Sequence, residues 1–368
     1  MRPLIPLLIP LLLTAATGHS ATRRWTPEEA WDWYKKEPWL VGANYLPSSA
    51  INQLEMWQAD TFDPKTIDRE LGWAHGIGMN VMRVFLHDIA WKEDPEGFFK
   101  RVDEYLAISD KHGVGTCIVI FDSVWDPEPK AGKQPDPKPG LHNSGWVQSP
   151  GSAILGDPAR HDSLKPYVQA VVKRYGKDKR VVMWDLMNEA ENPNGSSYAA
   201  KEPKDKQKHA LALLEKTFAW AREMDPQQPL SACVWGDFLK NRPIDRFMLD
   251  HSDVVNFHTY DDLPKVREQL ALLKKEGRPL ICTEYMARPQ KNTFEIILPL
   301  FQEENVAAIN WGFVNGKSQT IYPWDSWKKA YTKEPDVWFH DVFQTDGRPY
   351  REPETTLIKK LTSEKNRK

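Results

Sequence analysis

The sequence predicts an α/β protein folded as a single (β/α)8 TIM barrel, and three observations support this. Eight apolar runs with strand character alternate with segments of helical periodicity, and no second series of such pairs follows. The length of 368 residues suits one barrel with loop insertions. Residues 42–47, which follow the start of the first strand, read GANYLP and lack the glycine pattern of a doubly wound nucleotide-binding sheet.

The first twenty residues are a segment of a different kind. Arg2 precedes an apolar run over residues 4–13, and small residues follow it. This order is typical of a secretory signal peptide, and the run is too short to span a bilayer. We therefore assign residues 1–20 to a signal peptide and residues 21–368 to one barrel domain, and we expect a secreted protein, periplasmic or extracellular.

The first three helices begin where a capping side chain precedes a proline, which is a strong helix start signal. These pairs are Thr26-Pro27, Asp63-Pro64 and Asp94-Pro95. Glycines end the second and third helices, at Gly76 and Gly113. Apolar runs follow each helix, and they predict strands over residues 39–45, 79–86 and 114–121.

The segment from 126 to 162 interrupts this alternation. It contains seven prolines and five glycines and has no sustained period. It is therefore predicted to be a long loop after the third strand, and long loops in compact domains are usually functional. A second long loop, residues 312–338, is predicted after the eighth strand.

Between these loops the alternation of helices and strands resumes. Helices are predicted over residues 163–175, 206–223, 244–249, 264–275 and 294–304, with a last one over 353–361. Strands are predicted over residues 180–186, 230–235, 254–258, 279–283 and 306–311. The total of eight strands is the number that a closed barrel needs.

Composition excludes several classes of function. The formal net charge of -2 comes from 49 basic and 51 acidic residues, so no overall field attracts nucleic acid or an anionic membrane. We expect a neutral substrate, no nucleic-acid partner, no membrane insertion and a monomeric protein. Cys117, Cys233 and Cys282 lie in apolar runs at spacings that form neither a disulfide framework nor a zinc site, so buried free thiols are expected.

Two strands end in a glutamate. In VVMWDLMNEAEN, residues 181–192, an apolar run gives way to polar residues that include Glu189, and residues 279–285 repeat this plan with Glu284. The C-terminal ends of barrel strands meet at one mouth, so the two carboxyl groups are expected in one site. Hydrolysis of an acetal requires two carboxyl groups in different environments, one to donate a proton and one to attack or activate water.

Other polar and aromatic residues lie at the same strand ends. The candidate substrate-binding residues are Asn44, Arg83, Trp125, Asn188, His258, Tyr260 and Trp311. His87-Asp88 is the one pair that resembles a metal motif, but neither H-x-H nor H-E-x-x-H accompanies it. We therefore expect no metal and no cofactor.

These motifs together resemble the clan A retaining glycoside hydrolases, most closely family five, the cellulase and mannanase group. The resemblance rests on residues 182–190, VMWDLMNEA, with Arg83, His258-x-Tyr260 and Trp311 in matching order. It implies that Glu189 is the acid/base after strand four and that Glu284 is the nucleophile after strand seven. The chain departs from the family pattern at Ala190, where the family has proline or valine, and at Asp122, near which the family usually has a histidine.

From this resemblance we expect a secreted enzyme that cleaves β-linked glycans, of the β-1,4-glucan or mannan type, by double displacement. In that mechanism the carboxyl groups lie roughly 5 to 5.5 Å apart. Arg83 and Tyr260 would keep Glu284 ionised, Asn188 would bind the sugar 2-hydroxyl, and Trp311 would lie beneath the sugar. Three alternatives stay open: an exo-acting β-glycosidase on oligosaccharides, a barrel that only binds glycans, and a metal-dependent hydrolase.

Overall fold

Eight parallel strands form the centre of the computed structural model, which describes residues 23–195 and 197–365. The strands are Val41–Asn44 (β1), Val81–Phe85 (β2), Gly115–Asp122 (β3), Val181–Asn188 (β4), Leu230–Ser231 (β5), Val255–His258 (β6), Leu280–Glu284 (β7) and Ala307–Asn310 (β8). Neighbouring strands pair in parallel, β1 pairs with β8, and a bridge between Val234 and Phe257 links the segment after β5 to β6. This confirms the predicted (β/α)8 barrel; the predicted signal peptide lies outside the described residues.

Helices surround the barrel. They are Pro27–Tyr34 (α1), Gln53–Trp57 (α2), Pro64–Gly76 (α3), Asp88–Glu93 (α4), Pro95–Lys111 (α5), Ser152–Leu155 (α6), Lys165–Tyr175 (α7), Lys206–Arg222 (α8), Pro243–His251 (α9), Leu263–Leu273 (α10), Phe294–Glu303 (α11) and Glu352–Lys365 (α12). The predicted caps of α1, α3 and α5 are confirmed, because Thr26, Asp63 and Asp94 each accept a hydrogen bond from a backbone amide of the first turn. None of the described helices is long and apolar enough to cross a membrane.

The helix α1 covers the N-terminal end of the barrel. Its Ala30 and Tyr34 belong to one apolar cluster with Val81, Met183 and Ile281, which lie near the starts of their strands. The opposite faces of the strands pack against the outer helices in a larger cluster. The N-terminal end is therefore filled by apolar side chains, and the polar residues at the C-terminal ends form the open face.

Three features differ from the sequence predictions. The helices α2 and α4 were not predicted, because each is a short helix inside a βα loop and too brief to show a period. The predicted loop over 126–162 is wrong at its end, where α6 and a 3₁₀ helix over Pro158–Leu164 form; Asp157 caps the latter. The strand β5 has only two residues, fewer than predicted.

Long loops after β3 and β8 are confirmed. The first extends to α6, and the second, up to α12, contains only one described helix, the 3₁₀ helix Trp324–Trp327. The three cysteines are buried and free, as predicted. The two long loops therefore rise on the face of the barrel where the polar strand ends lie.

Candidate active site

Glu189 and Glu284 lie side by side at the C-terminal face of the barrel. Glu189 follows β4 directly and Glu284 ends β7. One oxygen from each carboxyl group and one ring nitrogen of His258 all lie within 4.8 Å of one another. The structure thus brings together the two glutamates that the sequence predicts in one site.

The backbone at Glu189 has an unusual conformation. Its φ angle is 38°, in the left-handed region that non-glycine residues seldom adopt. The backbone amide of Glu189 donates to the Cys233 sulfur at 3.2 Å. Such strain is often found at functional sites, where surrounding contacts hold it. Here it accompanies a turn that carries the Glu189 side chain toward His258.

Glu284 is held by two donors. Nη1 of Arg83 donates to its Oε1 at 2.9 Å, and the Tyr260 hydroxyl donates to its Oε2 at 2.7 Å. Arg83 is fully buried and also donates from Nη2 to Asp185 and to Asn188, both at 2.7 Å. These contacts fix the guanidinium against Glu284 and stabilise the ionised form of that carboxyl group.

Two predicted substrate-binding residues lie beneath the cavity rather than in its wall. Asn44 accepts from Arg83 at 2.6 Å and donates to the carbonyl oxygens of Thr283 and Asn310. Neither Asn44 nor Arg83 is among the described residues that line the main cavity. The geometry therefore gives both residues a role in positioning Glu284.

The remaining predicted residues line one cavity of about 610 Å³ together with the two glutamates. They are Trp125, Asn188, His258, Tyr260 and Trp311. Three further tryptophans, Trp146, Trp235 and Trp324, line the same cavity. A cavity of this volume with flat aromatic walls and polar side chains suits a small polyhydroxylated ligand.

A chain of hydrogen bonds determines which nitrogen of His258 carries the proton. Nδ2 of Asn256 donates to the Asp185 carboxylate at 3.0 Å, so Oδ1 of Asn256 must accept from the Thr283 hydroxyl at 2.5 Å. That hydroxyl, having used its proton, accepts from Nε2 of His258 at 3.0 Å. Nδ1 of neutral His258 is then an acceptor, and it lies 2.9 Å from Oε1 of Glu189. With His258 neutral, this geometry favours a proton on Glu189.

Electrostatics agree with this assignment. Burial raises the pKa of Glu189 to about 7, against the hydrogen bond from Asn192, and burial lowers the pKa of His258 to about 4. Burial also raises the pKa of Glu284 above its ordinary value, but Arg83 and Tyr260 oppose that rise. Because only Glu284 contacts a cation directly, a proton shared by the pair resides on Glu189.

These shifts predict the pH profile of the activity. We expect kcat/KM on β-glycosides to fall as the pH rises through about 7, because Glu189 then loses the proton that it must donate. It should fall again in acid, where Glu284 becomes protonated. In Thr283→Val, His258 can hold its proton on Nδ1 and donate to Glu189, which favours the ionised carboxylate. The alkaline limb should therefore move down by about 1 pH unit.

The matched control is Thr283→Ser, which keeps the hydroxyl group and should keep the wild-type profile. A role of Thr283 in packing alone would lower the rate of Thr283→Val without moving the alkaline limb. That outcome would contradict the proton assignment on His258.

Several residues of the site were not among the predicted site residues. Nδ2 of Asn192 donates to Oε2 of Glu189 at 2.6 Å. Asp122 accepts from Asn188 at 2.9 Å and from the indole of Trp146 at 2.5 Å, so it joins β3, β4 and the long loop after β3. Both had a local signal: Asn192 is part of the polar run that follows β4, and Asp122 ends the apolar run of β3. The partners of Asp122 come from distant parts of the chain.

The group of Glu189, His258 and Glu284 also has the ligand types of a metal site. It is the one such group of three among residues 23–195 and 197–365. A cation there would lie beside the guanidinium of Arg83, which is 2.9 Å from Glu284, and would compete with that charge. The donor set therefore fits a shared proton better than a divalent ion.

We expect EDTA to leave the activity unchanged, because the two carboxyl groups and Arg83 supply all the charge that the site needs. The measurement is the initial rate after exhaustive dialysis against EDTA, with and without added Zn²⁺ or Mg²⁺. Loss of activity that returns with one of these ions would contradict the expectation and favour a metal-dependent hydrolase.

Both the barrel and the segment that carries Glu189 are similar to parts of known proteins. The profile of Glycosyl hydrolase family 10 matches residues 142–238, a segment that contains Glu189 but not Glu284. No curated protein matches the sequence. The match covers less than half of the chain, so it marks a similarity of this segment.

Solved structures share the barrel at low identity. A GH5_18 protein from Streptomyces cattleya in complex with Manβ1-4GlcNAc is 12% identical with a TM-score of 0.60, over 89% of this chain and 80% of that one. An endo-β-1,4-mannanase from Thermotoga petrophila is 14% identical with a TM-score of 0.56, over 91% and 78%. A glycoside hydrolase family 5 mannosidase from Rhizomucor miehei is 14% identical with a TM-score of 0.53, over 89% and 93%. With the family 10 match, they confirm the resemblance to clan A glycoside hydrolases.

Proposed function

We propose that this protein is a secreted retaining β-glycoside hydrolase that acts on β-linked glycans of the β-1,4-glucan or mannan type, without metal or cofactor. One observation carries the proposal: Glu189, hydrogen-bonded to His258, and Glu284, paired with the Arg83 cation, lie side by side in an aromatic cavity. Their nearest oxygens, within 4.8 Å, suit the short carboxyl separation of roughly 5 to 5.5 Å in retaining enzymes.

The first step transfers the sugar to the protein. Oε2 or Oε1 of Glu284 attacks the anomeric carbon while Glu189 gives its proton to the leaving oxygen, so the glycosidic bond breaks as the ester bond forms. Arg83 and Tyr260 hold Glu284 in place. Trp311, which lines the cavity, offers a flat apolar surface to the sugar ring.

The second step returns the protein to its starting state. Glu189, now ionised, takes a proton from a water molecule whose oxygen attacks the anomeric carbon, and Glu284 leaves as a carboxylate. His258 accepts a hydrogen bond from Glu189 whenever that residue is protonated, which keeps the side chain in one orientation. Two inversions give a product with the configuration of the substrate.

The test is hydrolysis of a panel of aryl β-glycosides and β-linked polysaccharides, with the anomer of the first product observed by NMR. We expect activity on one sugar and a β-configured product. An α-configured product would overturn the retaining mechanism. Lack of activity across the panel, with binding to a glycan, would favour the binding-barrel alternative. Secretion is tested separately by the mature N-terminus, which should begin near residue 21.

A further inference from the structure

We propose that this site is exo-acting: it removes a single neutral sugar from the non-reducing end of a β-linked oligosaccharide. The inference rests on the proposed function, and it concerns which end of the cavity is closed. The positions of the two glutamates, three loops that join over one half of the barrel, and the volumes on either side of these loops support it.

The positions of the glutamates orient the substrate. The leaving group must lie on the side of Glu189, the proton donor after β4, and the sugar that becomes bound to Glu284 must extend away from it. In the ring of strands, β8 lies across from β4, and β1 is its neighbour on the side of β2. The non-reducing end of the glycan therefore points toward Trp311 and the loops above β8 and β1.

Three loops join over that half of the barrel into what we call the three-loop wall, residues 48–55, 142–147 and 317–327. The loop after β1 donates from Asn52 to the carbonyl of Gly145 at 2.8 Å and from Gln53 to that of Val147 at 3.0 Å. A Cβ atom at Gly145 would lie 2.4 Å from the Ile51 side chain, so the two loops are in close contact.

The loop after β8 completes the wall. The backbone amide of Asn143 donates to Ser318 at 2.9 Å, and the Trp327 indole donates to the carbonyl of His142 at 2.9 Å. The amide of Lys317 donates to Ser48 at 3.1 Å, which ties this loop to the first one. Each of the three loops is thus bonded to the other two.

The wall separates the main cavity from a much smaller space. Asn143, Trp146 and Trp311 line both, and the ring of Trp146 packs at 5.5 Å from that of Trp311 and at 5.1 Å from that of Phe85. The space behind the wall, lined by residues of the β1, β2 and β8 ends, has a volume of about 20 Å³, enough for one water molecule. This space is too small to hold a second sugar beyond the one above Trp311.

The opposite half of the cavity is lined by the loops after β4, β5 and β6, including Asn192, Trp235 and Asp261. This half belongs to the main cavity, whose volume is about 610 Å³. The leaving group therefore has room in this half. A sugar attached to the non-reducing side of the cleaved residue has no room at the closed end. This is the asymmetry that an exo-acting enzyme requires.

The wall also limits the charge of the bound sugar. Its residues that face the main cavity are His142, Asn143, Trp146 and Trp324. Burial lowers the pKa of His142 to about 4, so this ring is neutral near pH 7. Among the described lining residues, the cation Lys265 belongs to the half formed by the later loops. A neutral hexose fits the closed end, and a uronic acid would lack a cationic partner there.

The test uses mannopentaose and cellopentaose with a fluorescent label at the reducing end, each also prepared with a 4-O-methyl group on the non-reducing end. We expect the labelled tetraose as the first product, released with a free monosaccharide. The methylated chains should react at least about 100-fold more slowly, because the added group meets the wall. Aryl β-glucuronides should not react.

Trp146→Ala opens the wall and should raise the ratio of methylated to unmethylated rates at least about tenfold. Trp235→Ala is the matched control, because it removes an indole from the other half of the cavity and should leave this ratio unchanged. If Trp146→Ala does not fold, the rates of the wild-type protein on methylated and unmethylated chains still test the proposal.

Early release of labelled biose or triose, or equal rates on methylated and free chains, would overturn the exo assignment and leave the hydrolase proposal standing. Lack of hydrolysis of every β-glycoside, including aryl β-hexosides, would overturn both.

Discussion

Glu284→Ala should lose kcat/KM on every β-glycoside by roughly 10⁵-fold, since no other carboxyl group can form the covalent intermediate. Glu284 ends β7 and is the group that Arg83 and Tyr260 contact. Added azide should occupy the space of the lost carboxylate and attack the anomeric carbon directly. A β-glycosyl substrate then gives an α-glycosyl azide, because only one displacement takes place. The measurement is kcat/KM together with the anomer of the azide product.

The control for this variant is Glu104→Ala on α5, which removes an exposed glutamate outside the described cavity lining and should leave kcat/KM unchanged. Circular dichroism should show a folded protein, because Arg83 keeps its contact with Asp185. Retention of more than about one-hundredth of the activity in Glu284→Ala would remove the nucleophile assignment.

Glu189→Ala should show a loss that depends on the leaving group. On a disaccharide, whose leaving oxygen needs a proton, kcat/KM should fall by about 10²- to 10⁴-fold. On a dinitrophenyl β-glycoside, which departs without a proton, it should fall by less than about tenfold. Azide should speed turnover by attacking the glycosyl-enzyme and should give a β-glycosyl azide. Opposite anomers from the two alanine variants would thus assign the two roles in one experiment.

Glu191→Gln is the matched control here. Glu191 lies two residues away, pairs with Arg242 at 2.7 Å and does not belong to the described cavity lining. We expect it to keep at least about half of the wild-type rate. Equal losses on good and poor leaving groups in Glu189→Ala would show that Glu189 is not the proton donor.

The fold could be predicted because its signals are local. Each apolar run that became a strand was separated from the next by a segment with a helical period, and the caps Thr26, Asp63 and Asp94 lie next to the helices that they begin. The short helices α2 and α4 and the α6 turn were missed for the same reason, since four to six residues cannot display a period.

The two glutamates could also be predicted from sequence. Each ends an apolar run, and parallel strands in a barrel point their C-terminal ends to one face, so Glu189 and Glu284 had to meet once the barrel formed. His258, Tyr260 and Trp311 follow from the same rule, and the structure places all three in the cavity.

The sequence by itself thus determined the barrel, the face that carries the site and the pair of carboxyl groups, because these depend on hydrophobic period and on strand order. Tertiary structure alone decided that Arg83 and Asn44 lie beneath the cavity, that the Thr283 hydroxyl fixes the proton of His258, and that the three-loop wall closes one end. Those features depend on hydrogen bonds between residues far apart in the chain, and on the burial that such packing produces. No local sequence pattern predicts these long-range hydrogen bonds or this burial.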